Sequence, residues 1–360
     1  MPLFRRGERH VAIDEIRTKL IQIGFSVSSS DPTFFDDRLD EAVRTFQEAR
    51  GLTVDGIVGP QTLQRIEEAR WKLGDRTLSY VPGHLIHGED VVSLQQRLTT
   101  MGFDCGKVDG IFGVRTDKAL REFQNSVGVA ADGTAGRETF EALQRLARTV
   151  TGGRAEKLRQ SVLLDSLRTG IADKTIAIDP GHGGSDSGVA SHNIHESDIV
   201  AKIASRLQGR LAALGATVVL TRPLQVSTNP SDRERADLCN RIGADLLVSI
   251  HCDEATSEAA NGVATFHFGS PTGGWSHAGE RAAMRIHEAV LSRTHATDCG
   301  IHARTWDLLR MTRMPAITID VGYLSNSEEA ASLANKSYID HIAAGIADGI
   351  VTFFEPVEVA

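Results

Sequence analysis

One block of this chain is written twice. Phe46-Gln47, Gly51-Leu52, Asp55-Gly56 and Gly59-Pro60-Gln61-Thr62-Leu63 return as Phe123-Gln124, Gly128-Val129, Asp132-Gly133 and Gly136-Arg137-Glu138-Thr139-Phe140, each pair 77 positions apart. A duplication of this kind constrains the fold strongly, because each copy is one supersecondary unit. Val91, Leu94 and Leu98 make one apolar stripe at helical spacing, and Ala119, Leu120 and Phe123 make another. The Asp-Gly steps supply turn residues that tolerate positive φ. Each unit therefore reads as three short helices, over residues 7–70 and 88–147, with Trp71–Gly88 as connector.

The composition changes after Leu146. Thr151-Gly152-Gly153 and a polar, helix-prone run make a linker over 148–173. From Lys174 strands alternate with amphipathic helices. Ile199, Ile203, Leu207 and Leu211 mark a helix over Asp198–Leu214, followed by a strand over Ala216–Thr221. A helix over Ser231–Ile242 leads into a strand over Leu246–His251, then come a strand over Gly262–Phe268 and a helix over Gly279–Arg293. This order predicts an α/β/α domain with a largely parallel sheet over 174–356, preceded by two small all-α repeats.

Bulk properties narrow the function. The 360 residues suffice for two or three domains with separate cores. With 39 basic against 47 acidic residues and a net charge of -8, the chain is a poor candidate for binding nucleic acid or a polyanionic membrane surface. Cys105, Cys239, Cys252 and Cys299 are widely spread with no CxxC pair, which predicts reduced thiols and no disulfide framework. Met1–Leu20 is interrupted by charges, so it has no signal-peptide core, and no run of about 18 apolar residues follows. The expected location is the cytoplasm.

The chemistry gathers where strands end. Ile176-Ala177-Ile178-Asp179 runs into Pro180-Gly181-His182-Gly183-Gly184, Leu246–Ile250 runs into His251-Cys252-Asp253, and Ala316–Ile319 runs into Asp320. Open α/β sheets bind ligands at the carboxyl ends of their strands. Catalytic zinc typically takes three protein ligands and leaves a fourth position for water. His182 and His251 are the natural imidazole pair, and Glu196, at a helix start, is the acidic third. His192 and His195 lie on the same loop as rivals. Asp320 would take a proton from the attacking water, and Cys252 reads as a buried thiol on the opposite side of its strand from His251.

These residues carry a resemblance. Asp179-Pro180-Gly181-His182-Gly183-Gly184, Glu196-Ser197-Asp198, Leu220-Thr221-Arg222, Arg235 with Asn240, Ser249-Ile250-His251, Met314-Pro315-Ala316 and Asp320-Val321-Gly322-Tyr323-Leu324-Ser325-Asn326 follow one another as in the zinc-dependent N-acetylmuramoyl-L-alanine amidases of the third amidase family. The resemblance implies cleavage of the amide between the lactyl group of muramic acid and the first alanine of the stem peptide, with His182, Glu196 and His251 as zinc ligands. Asp320 stands where that family has a catalytic glutamate, and Val200 where it has an asparagine. The two repeats resemble peptidoglycan-binding domains. The second also has that domain's earlier turn, Val108-Asp109-Gly110-Ile111-Phe112-Gly113-Val114-Arg115-Thr116, where the first has the irregular acidic segment Ser28–Asp40.

Together these features resemble the CwlM-type branch of actinobacterial amidase-like proteins. That branch implies a second reading, a cytoplasmic, weakly active or inactive regulator of precursor synthesis. The implied partners are peptidoglycan, muropeptides or a lipid-linked precursor, and an enzyme of precursor synthesis.

Overall fold

The structure is a computed structural model and describes residues 3–147, 162, 164–224, 228–255, 257–270 and 273–356. The predicted linker, 148–173, falls largely outside them. The chain divides into two compact units, Met1–Leu158 with Gly269–Trp275, and Arg159–Phe268 with Ser276–Ala360.

The first unit holds both repeats, each with three helices. The first repeat has α1 (Val11–Gln22), α2 (Asp37–Ala49) and α3 (Pro60–Ala69); the second has α4 (Glu89–Thr100), α5 (Val114–Val127) and α6 (Arg137–Ala147). Local chemistry sets the ends. Asp36 caps α2 by accepting from the Leu39 amide, Pro60 occupies the first turn of α3, and Gly128 closes α5 in the left-handed conformation. Each repeat has its own core, around Ile13, Ile16, Leu20, Phe46 and Ile66 in one, and Val91, Leu94, Leu98, Leu120 and Phe123 in the other. A two-residue ladder, β1 (Leu78–Ser79) with β2 (Thr134–Ala135), was not foreseen.

The duplicated residues do one job in both copies. Gln47 Nε2 donates to Asp55 Oδ1, Ile57 O and Thr62 Oγ1, and Gln47 Oε1 accepts from the Gly56 amide. Gln124 does the same with Asp132, Thr134, Thr139 and Gly133. The repeated sequence therefore spells a turn folded around one buried amide. Gln95 holds the earlier turn of the second repeat in the same way, through Asp109, Ile111, Thr116 and Gly110. In the first repeat Arg17 replaces it, donating to Val27 O and Phe34 O at 2.6 Å each and pairing with Asp36. The irregular Ser28–Asp40 segment is thus pinned by a guanidinium where the other repeat uses an amide.

The second unit is an α/β/α sandwich. Its six-stranded sheet has the order β6 (Thr217–Leu220), β3 (Thr175–Pro180), β7 (Leu246–Asp253), β10 (Ala316–Tyr323), β8 (Val263–Phe268), β9 (Asp298–Arg304). The first four strands run parallel; β8 runs antiparallel to β10, and β9 parallels β8. Helices α7 (Glu196–Ala213), α9 (His277–Thr294) and α12 (Lys336–Phe354) cover one face over the larger core. The short helices α8 (Asp232–Ile242) and α10 (Asp307–Met311) cover part of the other face over a smaller core. A further helix, α11 (Ser327–Ala334), follows β10, and a two-residue hairpin of β4 (Ala190–Ser191) and β5 (Ile194–His195) precedes α7.

Several boundaries differ from expectation, two of them beside the strand-end residues. The helix expected from Asp198 begins at Glu196, and Asp320 does not end its strand, because β10 continues to pair with β7 as far as Tyr323 and Asp253. Val200 lies in the larger core, which explains an apolar residue there. Cys252 is buried in that core, on the face opposite His251.

Gln124→Ala removes four hydrogen bonds and leaves the Gly133 amide without its acceptor. It is expected to destabilise the second repeat by about 2–3 kcal/mol. Urea unfolding with hydrogen exchange read at α5 and α6 measures this, and a loss below about 0.5 kcal/mol contradicts a turn built around the amide.

Candidate metal centre

The loop after β3 is held by buried charge. Asp179, 1% exposed, accepts from Ser249 Oγ at 2.6 Å, from the Thr221 hydroxyl and from Arg235 Nη1 at 2.5 Å. Arg235 also donates to His182 O at 2.9 Å; Arg222 donates to Pro180 O at 2.9 Å and Gly181 O at 3.0 Å. Two buried guanidiniums therefore fix three successive carbonyls. Burial would raise the Asp179 pKa, but Arg235 and the two hydroxyls outweigh it and keep the group ionised.

With its carbonyl fixed, His182 takes the left-handed conformation, φ +57°. That strain is sustained by its surroundings. A methyl group on Gly181 would overlap the His251 ring, and one on Gly188 would overlap Glu196 and His182, so both glycines allow close approach at the cluster.

His182, Glu196 and His251 converge, with their ligand atoms within 4.8 Å of one another. His182 Nε2 and His251 Nδ1 each lie 3.0 Å from a different oxygen of Glu196. The Glu196 carboxylate is itself oriented by the Val189 amide at 3.0 Å and the Cys252 amide at 2.9 Å. A tetrahedral zinc with bonds near 2.0–2.1 Å holds its donor atoms roughly 3.3 Å apart, and a set with two contacts at 3.0 Å and all ligand atoms within 4.8 Å fits the ion after small side-chain shifts. The other nitrogen of His182, Nδ1, sits 2.9 Å from Asp186 Oδ2, the carboxylate–imidazole contact that orients metal-binding histidines.

The rivals are not part of the cluster. His192 Nδ1 lies 3.2 Å from Leu324 O, and His195 is exposed at the start of α7. Asp186 was missed by the sequence reading; its signal is an acid four residues beyond His182 on a glycine-rich loop.

Asp320 pairs in register with His251 on the neighbouring parallel strand, so both side chains share one face of the sheet. Burial pushes its carboxyl up to about 7, against the opposing pull of His251. Burial opposes charge on His182 too, but Glu196 and Asp186 outweigh it and raise the ring to about 9. Glu196 is held far below the usual carboxylate range, since the two histidines outweigh its burial.

The family model for N-acetylmuramoyl-L-alanine amidase matches residues 176–352, and that for the peptidoglycan binding domain matches 9–66 and 87–143. The chain is 44% identical over 355 residues to the N-acetylmuramoyl-L-alanine amidase CwlM of Mycobacterium tuberculosis, covering 95% of this chain and 87% of that one. It is 29% identical over 190 residues to the amidase LytC of Bacillus subtilis, covering 53% and 37% respectively. Among solved structures, an N-acetylmuramoyl-L-alanine amidase from Clostridium difficile matches with 32% identity and a TM-score of 0.48, over 50% of this chain and 96% of that one.

Arg235→Met leaves Asp179 as a buried charge without its ion-pair partner. Truncating one member of a buried pair costs about 3–5 kcal/mol. Chemical denaturation should show a loss of that order in the second unit; a change under 1 kcal/mol means that the pair does not support the His182 loop.

Proposed function

Because the chain belongs to the N-acetylmuramoyl-L-alanine amidase family, we propose that residues 174–356 form a zinc-dependent amidase. It cleaves the lactyl-to-alanine amide of peptidoglycan, its muropeptide fragments or a lipid-linked precursor. The observation that carries this reading is the convergence of His182, Glu196 and His251 around one point. These three would hold zinc, which when bound polarises the scissile carbonyl and lowers the pKa of water.

The chain's own residues have separate tasks. Asp186 orients the His182 ring, and the Val189 and Cys252 amides orient Glu196. Asp320 accepts the proton of the attacking water and returns it to the departing amine. Its raised pKa, about 7, suits a group that must take and release a proton near neutrality. The repeats, over 7–70 and 88–147, hold the glycopeptide that the second unit cuts.

Asp320 also favours the alternative reading, a regulator that kept fold and metal site. It is one methylene shorter than the family's glutamate, and a misplacement of about 1 Å can cost on the order of a hundredfold in rate.

Two measurements test the reading. Elemental analysis of the purified chain is expected to find one zinc, largely lost in His251→Ala, because two ligands retain little of the affinity of three. Equal metal in both proteins removes His251 from the ligand set. Asp320→Glu is expected to raise muropeptide turnover at least tenfold by restoring the reach of the carboxylate. Turnover that stays undetectable in both, with zinc retained, favours the regulator.

A further inference from the structure

Beside the cluster, β10 has one residue more than β7. Asp320 pairs with His251 and Tyr323 with Asp253, so three steps on one strand match two on the other. In a regular strand Tyr323 would share the face of Ile317, Ile319 and Val321, which lie in the larger core. The bulge turns it to the face of Asp320 and His251.

This turn is clamped from α11. Glu329 Oε2 accepts from the Tyr323 amide at 2.7 Å, and Glu329 Oε1 accepts from the Gly262 amide at 2.9 Å. Gly322 bridges the bulge at φ +149°, and the Leu324 amide donates to Asp253 O at 2.9 Å.

The result is a polar pair next to the proposed zinc ligands. The Tyr323 phenol faces the Asp253 carboxylate, whose Oδ1 accepts from the Glu254 amide at 2.8 Å. Both side chains are half-buried, so each keeps a side open to solvent. Asp253 lies two residues beyond His251 on the same face, about 7 Å along the strand. The phenol donates its one O–H to the carboxylate, which leaves the phenol oxygen and the outer carboxylate oxygen as acceptors. Acceptors side by side at the sheet's rim complement the backbone N–H groups of an extended peptide, as in strand-type peptide recognition.

We propose that Asp253 and Tyr323 hold the peptide on the leaving-group side of the scissile amide, and that Glu329 is the positioning residue that aims Tyr323. The inference deepens the amidase reading and rests on it for the identity of the substrate.

Calorimetric titration of the full chain tests it, with L-alanyl-D-isoglutamine as the peptide probe and N-acetylmuramic acid as the sugar probe. The wild-type chain should bind the peptide. Tyr323→Phe, which removes only the hydroxyl, should weaken that binding about tenfold, and Asp253→Asn more, while binding of the sugar stays the same. Glu329→Gln should reproduce the Tyr323→Phe loss, and combining the two should add nothing, a non-additivity that general destabilisation would not produce. No measurable peptide binding, equal affinity in the variants, or a loss confined to the sugar each overturn the proposal. Titration needs no turnover. A chain that binds the peptide through Tyr323 but cuts nothing keeps this inference and loses the hydrolytic reading; a chain that cuts without any dependence on Tyr323 does the reverse.

Discussion

Asp179 is a carboxylate with almost no access to water, and the loop bearing His182 depends on how its charge is balanced. Its partners come from three separate segments: Thr221 after β6, Arg235 on α8 and Ser249 on β7. An ion buried this deeply is tolerable only when every lone pair is used. Satisfying it draws β6, α8 and β7 to the end of β3. Arg235 and Arg222 then spend their remaining donors on the backbone that leads to His182. A strained histidine conformation follows from the network, and the convergence of His182 with Glu196 and His251 follows from the histidine.

The repeats solve a smaller version of the same problem. A tight Asp-Gly turn leaves amides and carbonyls pointing inward, and one glutamine side chain supplies both an acceptor and two donors to meet them. That arrangement occurs at Gln47, Gln95 and Gln124, while at the fourth position Arg17 can donate but not accept. The first repeat accordingly has an irregular segment there, which Arg17 holds through two carbonyls and the Asp36 carboxylate.

Much of this was legible in the chain itself. Hydrophobic spacing located α7, and the alternation of strands and helices anticipated the layered domain, because both depend on local periodicity. His182, Glu196 and His251 stood out because each sits at a strand end or helix start, where a polar side chain interrupts an apolar pattern. Asp186 did not, since an acid on a loop has no pattern to break. The roles of Arg222 and Arg235 depend on carbonyls far away in sequence. The bulge at Tyr323 was invisible for the same reason: it is set by Glu329 and Gly262, and read alone the alternation in β10 sends Tyr323 into the core.

The reversal of β8 within the sheet has a consequence for how such a domain can diversify. Because β8 runs opposite to β7, the connection from Asp253 to Val263 crosses β10 at the edge where His251 and Asp320 lie, and the chain returns to that edge again before β9. Connections at a sheet's rim tolerate insertion far better than the strands they join. Lengthening either one would add walls around the cluster and narrow the access to it, while leaving every strand pairing and the buried ion pair undisturbed.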